Sequence, residues 1–127
     1  MLLVPTSPLI FFGKWNILKH EIEYLKHIRD ECEFILAKSK NLTQELFFQD
    51  ETLKRAFVRS IEIIGEATKK ISTEFRLKNP YIDWKNIAGM RDVLIHSYFG
   101  VDYTIVWDVI KNHIPTLNNR IKEIINE

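Results

Sequence analysis

The stretch LKRAFVRSIEIIGEATKKI, residues 53–71, repeats its apolar side chains every three or four positions. Phe57, Ile61 and Ile64 belong to this repeat, which places them on one face of an α-helix. Asp50 stands just before the repeat, where a carboxylate can accept the free backbone N–H groups of a first helical turn. The pattern therefore predicts a long helix that begins after Asp50 and reaches about Leu77.

A second stripe with the same spacing precedes this stretch. It predicts a helix from about Trp15 to Ser39, and the residues from Lys38 to Gln49 are interpreted as a loop with room for a short helical turn. Beyond the central stretch, Pro80 disfavours helical geometry in the residue before it and should end the helix there.

Two further helices are predicted towards the C-terminus. Asp83 is placed to cap a helix from Trp84 to about Tyr98, with Gly100 as its terminator. Asp102 is placed to cap a last helix from Tyr103 to near Ile125, which Pro115 should kink. No segment alternates with period two, so the expected fold is all-α, an antiparallel four-helix-type bundle with short connections.

Length and composition fit one domain. The chain has 127 residues, of which 46% are hydrophobic and 28% charged, enough to bury a core. We expect one helical domain over residues 15–127, preceded by an apolar leader, residues 1–14, of unknown role. The leader contains two prolines and is shorter than the roughly 20 residues that span a bilayer, so no membrane anchor is expected.

Charge and cysteine content narrow the function classes. The formal net charge is only +1, so any contact with nucleic acid must be local. The single cysteine, Cys32, cannot form an intrachain disulfide, and a reducing cytoplasm is the expected location. The four glycines form no phosphate-binding cluster, which excludes P-loop and Rossmann enzymes, and no Cys or His cluster has the spacing of a zinc site.

Residues 91–98 carry the densest set of reactive side chains, including Arg91, Asp92, His96 and Tyr98. On one continuous helix Arg91 and His96 would lie ~140° apart around the axis, so a single helix would not direct both at one point. Two copies related by a two-fold axis could bring both pairs into a shared cleft, as could a helix that loosens near Gly100. Asp92, one helical turn before His96, would favour the protonated imidazole.

An imidazole and a guanidinium suffice for metal-free cleavage of RNA. His96 would transfer the proton of a ribose 2′-hydroxyl, and Arg91 would neutralise charge on the phosphorane, giving a 2′,3′-cyclic phosphate and a 5′-hydroxyl. An Arg, Asp and His near a helix end are also common on solvated surfaces with ordinary ion pairs. Spacing alone does not decide between these interpretations.

Residues 91–98, RDVLIHSY, resemble the Arg-x4-His-x-Tyr motif of the HEPN superfamily, in the branch of HepT-like toxins. The resemblance extends from about Trp15 to the C-terminus. It includes SIEIIGEA at 60–67, IDWK at 82–85, GMR at 89–91, YFGVD at 98–102, VW at 106–107 and IP at 114–115. The leader, residues 1–14, departs from the family pattern.

This resemblance implies a homodimeric, all-helical endoribonuclease that needs no metal or other cofactor. Its catalytic residues would be Arg91 and His96, which meet their symmetry mates in a composite cleft, with Asp92 in a supporting role. The motif tyrosine, here Tyr98, is in that family the site where a partner nucleotidyltransferase of the MNT type adds AMP and silences the toxin. The two proteins would form a toxin–antitoxin pair.

A second hypothesis is a non-catalytic helical subunit that binds or regulates a nucleotidyltransferase. The near-zero net charge and the lack of an evident RNA-binding stripe favour it. Activity on RNA in EDTA separates the two hypotheses, and the RNA substrate itself is not evident from the sequence.

Other residues rank lower as functional candidates. His20 and His27 share one face without a third ligand, and Cys32 lies in the apolar stripe as a core residue. Arg55 and Arg59 could line an RNA path or form a solvated face with neighbouring glutamates. Trp84 and Trp107 fit packing roles better than base stacking, and a close approach of two helices would explain Gly65 in mid-helix.

Overall fold

The computed structural model describes the backbone of residues 8–96 and 100–127, and the side chains of residues 20–94 and 100–127. In chain order the elements are α1 (Pro8–Ser39), α2 (Gln44–Gln49), α3 (Glu51–Lys69), α4 (Thr73–Lys78), α5 (Trp84–Leu94), β1 (Ile95–His96), β2 (Gly100–Val101), α6 (Tyr103–Asp108), a π-helical turn (Val109–His113) and α7 (Ile114–Ile124). The all-α prediction is confirmed for this part of the chain. Its only strands are β1 and β2, which are two residues long each and pair with each other.

Helices α1 and α3 form an antiparallel pair. Near one end, the ring centroids of Phe34 and Phe57 lie 6.2 Å apart, and near the other end Glu21 accepts a hydrogen bond from the Ser72 N–H at 3.1 Å. The structure begins α1 at Pro8, earlier than the predicted start at Trp15 and within the predicted leader. Residues 1–7 of that leader lie outside the described residues.

The prediction that one continuous helix runs from Asp50 to Leu77 is wrong after Lys69. Asp50 does cap α3, because its Oδ1 accepts the Leu53 N–H at 3.0 Å, but α3 ends at Lys69. The chain then turns, and the Ser72 side chain caps the separate helix α4. The Glu21 carboxylate, only 4% exposed, holds the turn by accepting the Ser72 N–H. A contact between distant residues therefore overrides the helical periodicity.

Pro115 disturbs the last helix as predicted, and the disturbance has a specific form. The five residues before Ile114 form a π-helical turn, in which the Ile114 N–H donates to the carbonyl of Val109. Proline has no N–H and its ring clashes with the carbonyl four residues earlier, so a wider turn relieves the conflict. The helix continues to Ile124, close to the predicted end at Ile125.

The core lies between α1, α3, α5 and the helical segments after Asp102. Helices α1, α3 and α7 each contribute side chains with no exposed surface, for example Ile28, Ile61 and Ile121. Lys122 and Glu33 form an ion pair at 2.6 Å that joins α7 to α1. Among the described residues, no helix combines the length and the apolar character needed to cross a lipid bilayer.

Helix α5 crosses α3 at Gly65, which confirms the predicted close approach. A Cβ atom at this position would lie 3.4 Å from the carbonyl oxygen of Ala88 and 3.6 Å from that of Ile87. Both are ordinary van der Waals distances, so one methyl group fits at this crossing. The helix that carries Arg91 therefore packs with its backbone close to α3 at Gly65.

We predict opposite effects for two substitutions at this crossing. Gly65→Ala should leave stability unchanged or raise it by up to about 1 kcal/mol, because alanine favours helix. Gly65→Val should lower it by about 1–3 kcal/mol, because its γ carbons overpack the crossing. Urea unfolding followed by circular dichroism measures both, and equal stability of the valine variant would contradict the close approach.

Candidate functional site

Helix α5 holds Arg91 and Asp92 and ends earlier than the sequence predicts. Asp83 caps its start, accepting the Asn86 N–H at 3.4 Å, as expected. The expectation that this helix continues to Tyr98 and stops at Gly100 is wrong, because α5 ends at Leu94. The Leu94 carbonyl accepts the backbone N–H of Asp102 at 2.9 Å, so it is bound to the returning chain.

A short antiparallel hairpin follows α5 directly. Ile95 pairs with Val101 and His96 pairs with Gly100, so His96 lies in a strand and not on the helix. Gly100 has a φ of 78°, a conformation that glycine adopts without strain. Asp102 then caps α6 as predicted, and its Oδ1 accepts the Thr104 N–H at 3.0 Å.

This geometry corrects the angular argument for residues 91–96. Because His96 follows the end of α5, the ~140° separation calculated for a continuous helix does not apply, nor does the placement of Asp92 one helical turn before His96. The backbone of His96 instead begins two residues after the C-terminal carbonyl end of α5.

Arg91 lies in the last turn of α5 with much of its side chain in solvent. The Arg91 side chain is 47% exposed and that of Asp92 is 70% exposed. Their closest charged atoms are 3.6 Å apart, which is too long for a good hydrogen bond. An exposed pair of this kind contributes little stability, and the guanidinium can exchange Asp92 for another anion at low cost.

The structure describes the other motif residues to different extents. For His96 it gives the backbone, while the side chain lies outside the described residues. Tyr98 lies wholly outside them. The expected roles of Arg91, Asp92, His96 and Tyr98 therefore remain predictions, with the helix end and the hairpin as their framework.

Arg59 of α3 lies in a solvated group of ion pairs. The Arg59 guanidinium lies 3.3 Å from a carboxylate oxygen of Glu62 and 3.9 Å from one of Glu66. These contacts support the interpretation that Arg59 forms surface ion pairs, and they argue against the interpretation that it lines an RNA path. Arg55, one turn earlier, is exposed.

Trp84 and Trp107 have packing roles, as expected. Trp84 is 5% exposed and its indole N–H donates to the Asn79 carbonyl at 2.9 Å. Trp107 stacks on Phe47 with ring centroids 5.4 Å apart. His20 and His27 are both exposed, and no group of three or more metal-binding side chains occurs among the described residues.

One pair near the C-terminal helices was not found from the sequence. His113 Nε2 lies 3.3 Å from Asp108 Oδ2, although residues five apart do not meet on an α-helix. The π-helical turn brings them together. Pro115 was the available signal, but a predicted kink does not specify a π-helical turn.

Comparison with known proteins places this chain in a family. The family model described as "Ribonuclease HepT-like" matches residues 22–124, which is most of the chain. The match contains α5, the hairpin and the start of α6. It begins after the predicted leader.

Individual relatives agree with this match. A protein of Caldanaerobacter subterraneus named "Putative RNase" is 53% identical over 104 residues, covering 82% of this chain and 93% of that protein. One of Thermococcus cleftensis named "Probable ribonuclease HepT" is 38% identical over 102 residues, covering 80% of this chain and 93% of that protein.

A longer relative also matches. A protein of Methanocaldococcus jannaschii named "Gamma-glutamylcyclotransferase and putative RNase" is 46% identical over 104 residues, or 82% of this chain but only 47% of that protein. The chain thus spans about half of that relative. No solved structure matches the chain.

Cys32 is buried in α1, which confirms the core interpretation. Burial raises the pKa of the Cys32 thiol to about 12, and the nearby Glu33 and Glu31 carboxylates add to the effect. The reactive thiolate is therefore absent from the folded protein near neutral pH.

We predict that Cys32 reacts with a thiol reagent at pH 8 at least a hundredfold more slowly in the folded protein than in the unfolded protein. Because the folded pKa lies above the unfolded one, this thiol should also contribute stability that is present below about pH 9 and decreases as the pH rises further. Reagent kinetics with and without urea test the first point. Rapid labelling of the folded protein would contradict the burial of Cys32.

Proposed function

We propose that this chain, which belongs to the HepT-like ribonuclease family, is a metal-independent endoribonuclease that uses Arg91 and His96. The observation that carries the proposal is the position of both residues at one helix end. Arg91 lies in the last turn of α5, and His96 follows in the hairpin that closes on Leu94. Related proteins named as ribonucleases supply the substrate class, RNA.

Arg91 is proposed to bind the scissile phosphate. A guanidinium offers parallel N–H donors that fit two phosphate oxygens, and these bonds strengthen as negative charge grows on the phosphorane. The solvent exposure of Arg91 and its long contact with Asp92 leave it accessible to an incoming phosphate. Asp92 would orient the guanidinium before RNA binds.

His96 is proposed to transfer the protons of the reaction. The ribose 2′-oxygen bonds to phosphorus while the bond from phosphorus to the 5′-oxygen breaks. The 2′-hydroxyl loses its proton to a base, and the leaving 5′-oxygen gains one from an acid. An imidazole can act as either the base or the acid near neutral pH.

We predict that Arg91→Ala and His96→Ala each reduce RNA cleavage in EDTA by at least a hundredfold while the helical circular dichroism is retained. Arg59→Ala and His27→Ala are the matched controls, since both residues are exposed and lie outside the motif. Full activity in either motif variant would reject the assignment. Cleavage lost equally in the controls would indicate a general effect of charge.

We also propose that the active protein is a homodimer with the end of α5 at or beside the two-fold axis. Two copies would place two arginines and two histidines around one phosphate, so the acid and the base could come from different chains. Light scattering should give twice the chain mass at micromolar concentration. A monomer under the conditions of cleavage would contradict the composite cleft.

The partner in this proposal is a nucleotidyltransferase of the MNT type that acts as the antitoxin. It would transfer AMP from ATP to the Tyr98 hydroxyl: the oxygen bonds to the α-phosphorus, pyrophosphate leaves, and the phenolic proton is released. An AMP group close in sequence to Arg91 would occupy the guanidinium and exclude RNA by charge and volume. The toxin would be silenced without a change of fold.

We predict that incubation with the cognate nucleotidyltransferase and ATP adds AMP units to the protein, as measured by intact-mass spectrometry. Tyr98→Phe should abolish the gain, whereas Tyr81→Phe, which removes an exposed phenol outside the motif, should not. No gain of mass, or an equal gain in Tyr98→Phe, would refute the role of Tyr98.

A further inference from the structure

An open groove of about 420 Å³ separates α5 from the helical segments after Asp102. One wall is a complete face of α5, formed by Asp83, Asn86, Ile87, Met90, Val93 and Leu94. From the capping residue Asp83 to Leu94 these positions extend over twelve residues, or ~16 Å along the helix. The groove therefore has the length of three helical turns.

The floor of the groove is apolar and partly open to solvent. Val93 is 58% exposed, Met90 is half-buried, and Val109, Ile114 and Leu117 contribute from the opposite side. Exposed apolar surface between two helices is a common site for a third helix.

Each lip of the groove, on the α5 side and on the side after Asp102, carries one aspartate. On the α5 side, Asn86 donates its side-chain amide to Asp83 at 2.5 Å. On the opposite side, Asn112 donates to Asp108 at 2.7 Å, and His113 lies against the same carboxylate. Each lip thus presents an aspartate held in place by a neighbouring asparagine.

The basic lining residues do not offset these carboxylates fully. The Arg120 guanidinium donates to the Tyr81 carbonyl at the end of the groove. His113 is already placed beside Asp108 by the π-helical turn. A ligand with positive charges on both sides of an apolar stripe would complement this surface.

The groove lies on a different face of α5 from Arg91. Met90 points to the centre of the lining face, and Arg91 follows it by ~100° around the helix axis. A partner in the groove and an RNA phosphate at Arg91 would therefore contact separate sides of one helix.

We propose that this groove binds an amphipathic helix of another protein, with an apolar stripe flanked by lysine or arginine on both sides. The length of the groove fits a helix of about three turns better than a compact small molecule. Two copies of this chain meeting groove to groove would place four aspartates against each other, which disfavours self-association here. The proposal does not depend on ribonuclease activity.

The test uses the full chain with methyl-labelled methionine, which gives signals from Met1 and Met90, and Met90 lines the groove. The probes are three synthetic peptides: a leucine stripe flanked by lysines, the same stripe flanked by glutamates, and the lysine peptide with its order scrambled. The lysine peptide should shift the Met90 methyl signal saturably. The other two should bind at least tenfold more weakly.

A double variant measures how much the two groove aspartates contribute to binding of the lysine peptide. Asp83→Asn with Asp108→Asn should weaken the lysine peptide about fivefold, and asparagine retains the helix cap at position 83. Glu23→Gln with Glu45→Gln removes two exposed charges elsewhere and should leave binding unchanged. Val93→Ser should weaken binding without unfolding the chain.

Three results would overturn the proposal. The first is an unmoved Met90 signal, and the second is equal binding of the lysine and glutamate peptides. The third is a Met90 signal that shifts on dilution without peptide, which would assign the groove to contacts between copies of this chain.

Discussion

The arrangement of the candidate site depends on one backbone hydrogen bond, from the N–H of Asp102 to the carbonyl of Leu94 at 2.9 Å. Leu94 is 1% exposed, so its carbonyl could not rely on water for a partner. The bond ends α5, closes the hairpin that contains His96, and positions Asp102 to cap α6. One interaction thus fixes the geometry on both sides of the motif.

The features that the sequence predicted are mainly local ones. Asp50, Asp83 and Asp102 were identified as caps because a short acidic side chain before an apolar stripe satisfies nearby N–H groups within the same turn. The features missed depend on distant residues. The break after Lys69 requires the buried Glu21, and the end of α5 requires Asp102, so helical periodicity continued both segments too far.

The candidate site shows the same division. Arg91 and His96 were selected by their chemistry and by resemblance to a family motif. Both of these can be identified from the sequence alone. The angle predicted for a continuous helix does not apply to these two residues, whereas the alternative of a helix that loosens before Gly100 agrees with the observed helix end and hairpin. In the same way, Pro115 indicated a disturbed helix, but only the structure shows that the π-helical turn brings His113 to Asp108 at the lip of the groove.

Transesterification at the end of α5 is the central claim of this account, and the chemical ends of the RNA products test it most directly. A short oligoribonucleotide is cleaved in EDTA and its fragments are identified by mass. The account predicts a 2′,3′-cyclic phosphate and a 5′-hydroxyl, with no cleavage where the scissile nucleotide lacks its 2′-hydroxyl. Fragments with a 3′-hydroxyl and a 5′-phosphate, or cleavage of the 2′-deoxy substrate, would contradict it.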